Sequence, residues 1–134
     1  MAISFQIDSQ CNRIIFSVTD NFHFPDFFGA WRELLKHPDF QLNQTMIWDL
    51  SQMEASNLLD SDLRRIAEFM QGQTRVNGQY TQVALIAPTK ATYGLASTYL
   101  NFLLEDQESF LIFRTRARGE AWLDSCSSQS KASG

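Results

Sequence analysis

Ile3, Phe5 and Ile7 alternate with Ser4, Gln6 and Asp8, and the alternation resumes from Arg13 to Thr19 through Ile14, Phe16 and Val18. A period of two is that of a half-buried strand, and the polar break Asp8 to Asn12 between the two runs predicts an antiparallel hairpin. From Pro25 the period changes. Phe27, Trp31, Leu34 and Leu35 fall on one face of a helix that opens at Pro25 and ends at His37, the residue before Pro38. Met46 to Leu50 reads as a short strand, and Ser51 to Asn57 as a polar loop. A second helix starts near Asp60, with Leu63, Ile66, Ala67 and Met70 at helical spacing and Asp60, Ser61 and Asp62 suited to its N-terminus. Gly72 and Asn77-Gly78 break the chain before the apolar run Val83 to Ala87, which stops at Pro88. A helix built on Tyr93-Gly94-Leu95-Ala96 follows, then the strand Phe110 to Phe113 and a short helix from Ala117 to Leu123 containing Trp122. Gly94 and Trp122 read as packing residues, Gly94 by letting its helix approach the sheet.

The order is therefore ββαβαβαβα. Two apolar strands separated by an amphipathic helix form a parallel crossover, because parallel neighbours need a long connection. The expectation is an α/β single domain: a mixed sheet of about five strands, an N-terminal hairpin followed by parallel βα units, covered by about four helices. Residues 1–124 form the domain, and 125–134, nearly all Ser, Gln, Lys, Ala and Gly, read as a disordered tail.

Composition narrows the function. The 134 residues suit one domain, and 44% hydrophobic against 19% charged content argues against pervasive disorder. A net charge of −4 argues against general nucleic-acid binding, which needs a positive field over the phosphates. Cys11 and Cys126 stand at opposite ends with no CxxC, so neither a disulfide framework nor a zinc site is expected. Gln6 and Asp8 interrupt the apolar order of a signal peptide, and no apolar run approaches the ~20 residues of a membrane span. A reducing, cytoplasmic location follows. His23 and His37 lie outside metal-ligand spacing, His37 being placed to meet free carbonyls at a helix end, and GxSxG, P-loop and GxGxxG motifs are absent. No catalytic residue, metal or cofactor is expected.

Several residues carry a family resemblance: Asp49-Leu50-Ser51 at a strand end, Val83 to Pro88 leading to Tyr93-Gly94-Leu95-Ala96, and Phe113-Arg114 leading to Glu120-Ala121-Trp122-Leu123. From roughly Ile3 to Leu123 the chain resembles the SpoIIAA-like branch of the STAS domain fold. The resemblance implies a small α/β domain of the kind found in anti-sigma-factor antagonists and in the cytoplasmic tails of anion transporters, one that acts by binding. Those antagonists carry Asp-Ser-Ser-Gly where the second helix begins and are phosphorylated at the second serine. The matching stretch here is Leu59-Asp60-Ser61-Asp62-Leu63: the glycine is missing and Asp62 stands in the acceptor's place.

Three groups of residues are candidates for function. The carboxyl ends of the parallel strands should gather Asp49, Ser51, Thr89, Lys90, Arg114 and Arg116, with Ser61 nearby, either as a polar or anion site or as caps and solvated charges. Ser61 is either a helix cap or a phosphosite. Five aromatic residues crowd positions 22–31; Phe27 and Trp31 belong to the helix stripe, whereas Phe22, Phe24 and Phe28 either pack at the start of the helix or form an exposed apolar patch. Leu58, Leu59 and Phe69 extend that patch, and the region between the first two helices becomes a place for a lipid-like ligand or for contact with the inner membrane face. The leading expectation is a non-catalytic regulatory or binding module of SpoIIAA-like type, with a protein partner or an apolar ligand. The alternatives are a phospho-regulated antagonist of a kinase acting through Ser61 and an enzyme using Asp49 and Lys90. The hairpin's free edge strand leaves a homodimer open.

Overall fold

Strands β1 (Ile3–Asp8) and β2 (Arg13–Thr19) pair antiparallel in unbroken register, from Ile3 opposite Val18 to Asp8 opposite Arg13. The turn is fixed at both ends. Asp8 Oδ1 accepts the N–H groups of Gln10 at 3.0 Å and Cys11 at 3.3 Å, and Asn12 takes φ 54°, a left-handed conformation that asparagine tolerates better than most residues. In this computed structural model the described residues are 3–19, 23–41, 44–53, 60–73, 75–76, 79–80, 82–103 and 109–133, with 24, 71–73, 75–76, 79–80 and 126–133 described by backbone alone.

Helix α1 (Phe24–Lys36) starts with Asp26 reaching back, its Oδ2 accepting the His23 N–H at 2.9 Å. Strand β3 (Thr45–Gln52) leads to α2 (Asp60–Gln73), then to two short strands, β4 (Arg75–Val76) and β5 (Gln79–Tyr80), which pair only with each other. Strand β6 (Val83–Ile86), α3 (Lys90–Asn101), β7 (Phe110–Phe113) and α4 (Arg116–Ser133) complete the chain. The sheet order is β1-β2-β3-β6-β7; only the β1–β2 pair is antiparallel. The fold is thus α/β, a five-stranded mixed sheet with four helices, as the pattern predicts.

Residues in register across the strands define the two faces. Phe16, Trp48, Leu85 and Ile112 align on the face that carries the larger core, shared with α1, α2 and α3. Ile15, Ile47 and Ala84 align on the other, where Ile86, Leu123, Phe113 and Trp122 complete a smaller core beneath α4. All four residues of β6 are buried because both faces are covered there. A buried Arg13 at the start of β2 fastens α4 to the sheet, donating to Asp124 Oδ1 at 2.8 Å and to Thr45 Oγ1 at 3.4 Å.

The structure differs from the sequence expectation at several points. Leu35, expected in the α1 stripe, is 49% exposed; at about 100° per residue it lies roughly 80° round from Phe27, at the stripe's margin. Gly94 is exposed and a Cβ there would meet nothing within 4 Å, whereas a Cβ on Gly119 would lie 2.7 Å from Ile86 Cδ1. Gly119 is therefore the residue that lets a helix approach the sheet. His37 Nδ1 accepts the Asp39 N–H at 3.1 Å instead of meeting free carbonyls. Helix α4 runs past Leu123, its expected end, to Ser133; a stretch free of glycine and proline after Gly119 gives it no stop signal.

Candidate functional site

The larger core does not fill completely. Between α2, α3 and the sheet lies a cavity of about 70 Å³. Val18, Trp48, Leu50, Val83 and Leu85 form its floor, Leu63, Ile66 and Met70 one wall, and Leu95, Ala96 and Tyr99 the other, with Phe27 and Met53 at its margins. Each wall follows from helical spacing. Leu63, Ile66 and Met70 recur every three or four residues on α2, and Leu95 and Tyr99 do so on α3. Ala96 is the smallest lining side chain and leaves part of the space that a leucine would fill.

Among the described residues the lining carries no charge, and its side-chain N–H and O–H groups are the Trp48 indole and the Tyr99 hydroxyl. Burial pushes the Tyr99 phenol above the ordinary range, so its hydroxyl stays neutral. A site of this size exceeds the ~10–15 Å³ that one water needs, but ordered water also requires several polar partners. The chemistry therefore suits an apolar group. On the outside, the exposed Arg64 lays its guanidinium 5.2 Å above the Phe102 ring and links α2 to the residue that caps α3. Such a contact is worth only about 0.5–1 kcal/mol at an exposed site, a small addition to the apolar packing of the two helices.

This is not the place the sequence pointed to. The seam between α1 and α2 is closed by aromatic rings: Phe69 stands nearly perpendicular to Phe28 at 5.0 Å, to Phe27 at 5.6 Å and to Trp31 at 5.8 Å. Phe28 and Phe69 are half-buried members of this cluster, so they do not form an open patch. Phe22, Leu58 and Leu59 lie outside the described residues, as does the side chain of Phe24.

The expected strand-end polar group divides in two. Asp49 lies three residues before the end of β3, on the α4 side of the sheet with Ile47, and its Oδ1 accepts the N–H of exposed Ser51 at 2.9 Å. Thr89 sits at the start of α3 and exchanges hydrogen bonds with Thr92: the Thr92 N–H donates to Thr89 Oγ1 at 3.1 Å and the Thr89 N–H to Thr92 Oγ1 at 3.1 Å. Arg114 stacks 4.3 Å over the Tyr93 ring and donates to the Pro88 carbonyl at 3.4 Å, while Lys90 is exposed in the first turn. Arg116 pairs with Glu120 at 3.1 Å. Most of these side chains are thus occupied in capping or bracing the local backbone, and among the described residues no hydrogen bond or ion pair joins the two groups. Ser61 is exposed in the first turn of α2, between Asp60 and Asp62. Among the described residues no group of three His, Cys, Asp or Glu side chains could hold a metal ion, and no helix is long and apolar enough to cross a membrane.

Sequence reasoning missed the cavity itself. The available signal was Ala96 between Leu95 and Tyr99, a small residue in an otherwise bulky stripe. From sequence alone, such a residue reads equally as close helix–sheet packing or as a void. No family model, curated protein or solved structure matches the chain.

Proposed function

We propose that this protein is a non-catalytic binding module of SpoIIAA-like, STAS type that holds an apolar ligand between α2, α3 and the sheet. The observation that carries this reading is the uncharged cavity of about 70 Å³. An empty apolar cavity forgoes dispersion contacts with its lining, and a bound apolar group restores them. A longer chain would enter as α2 parts from α3. The division of the strand-end polar residues between two faces supports binding over catalysis, because no nucleophile and base are paired there. An exposed, free Cys11 accords with a reducing, cytoplasmic setting. Phosphorylation at Ser61 has exposure in its favour, but the carboxylates of Asp60 and Asp62 would repel the added charge.

The test is a titration with a fluorescent fatty-acid probe. Wild-type protein should bind it saturably, Ala96→Leu should weaken binding at least tenfold while keeping the fold, and Ser61→Ala should bind as wild type does. Equal binding by wild type and Ala96→Leu would remove the cavity from the account.

A further inference from the structure

Among the described residues strand β1 is an edge of the sheet, hydrogen-bonded to β2 on one side and to no strand on the other. Edge strands are ordinarily guarded by proline, lysine, a bulge or extreme shortness, because a free row of N–H and C=O groups recruits another strand. None of these guards is present. Ile3–Ile7 contains no proline and no charged residue, and its register with β2 is unbroken. The carboxylate of Asp8 is turned into the hairpin loop, where it binds the amides of Gln10 and Cys11. The opposite edge, β7, has four residues and runs directly into Arg114.

We infer that β1 is the interface of a two-fold dimer, with the β1 strands of two copies of this chain pairing antiparallel about Phe5. This inference is independent of the cavity. It rests on self-complementarity. A two-fold at Phe5 sets Ile3 of one copy opposite Ile7 of the other and Phe5 opposite Phe5, all on the side where these residues face the larger core. It sets Ser4 opposite Gln6 on the other side, where both are exposed. Like meets like on both faces, without a charge. Moving the axis to Gln6 would instead set Ile3 against the loop residue Ser9 and bring Asp8 opposite Ser4. The main chains supply the attraction, and the side-chain pairs set the register.

Light scattering and sedimentation velocity on the full chain test this. Wild type should show twice the chain mass. Ser4→Lys with Gln6→Lys puts like charges directly opposite at both Ser4–Gln6 pairs and should weaken the dimer about tenfold. Ser4→Lys with Gln6→Glu makes both pairs opposite in charge and should restore it. Should the lysine variant fail to fold, hydrogen exchange on wild type decides: protection at Ile3–Ile7 should rise with protein concentration. A wild-type monomer at all concentrations, a dimer indifferent to the double lysine, or a foreign strand seated on β1 would each overturn the inference.

Discussion

Gly119 and Gly94 differ in what an added methyl group would meet. A Cβ on Gly119 falls 2.7 Å from Ile86 Cδ1 and 3.3 Å from Ala84 Cβ, both in the core beneath α4. Gly119→Val should cost about 2–3 kcal/mol by overpacking, as read from urea denaturation. Gly94 stands exposed inside α3 with nothing within 4 Å, so Gly94→Ala should stabilise by about 0.5–1 kcal/mol through helix propensity. The two glycines are indistinguishable as letters; only the packing around each separates them. Tyr99 gives a pH signature. Its folded phenol is raised above the ordinary value, so the unfolded chain releases this proton first. The stabilisation is complete below about pH 10 and is lost as pH rises towards the folded value. Stability of wild type should fall above about pH 10 more steeply than that of Tyr99→Phe; parallel curves would contradict burial of this hydroxyl.

The elements were legible where apolar residues kept one period over several turns or pairs. The β1–β2 hairpin, β3, β6 and β7 all follow from period-two or continuous apolar runs, and the α2 stripe of Leu63, Ile66, Ala67 and Met70 is buried as its spacing requires. Two-residue strands such as β4 and β5 are too short to show a period. Nor could sequence say where Phe69 goes, because its partners Phe28 and Trp31 lie on another helix. Phe69→Ala should therefore cost about 2–3 kcal/mol, more than expected for a surface-patch residue and less than for a fully buried ring. Helix α4 depends on a contact equally invisible in sequence, Arg13 to Asp124 across 111 positions. Arg13 is 4% exposed, and Asp124→Ala takes away its charged partner. The expected loss is about 1–2 kcal/mol, with faster amide exchange in α4 as the local readout.

At the scale of the molecule, a mixed sheet with three helices on one face and one on the other yields two unequal cores. The larger one holds the cavity. The fold class was legible because alternating strand and helix patterns admit few arrangements. The site was not, because a cavity is a shortfall in packing between α2, α3 and three strands that no single segment records. The separation of Asp49 from Thr89 was not legible for a related reason: nearness to strand ends does not say which face a side chain takes. The central claim is that the cavity binds an apolar ligand, and native mass spectrometry of protein from its own host tests it most directly. Wild type should carry a non-covalent adduct of lipid-like mass that is lost in Ala96→Leu. The bare chain mass from every preparation, or an adduct retained in Ala96→Leu, would contradict it.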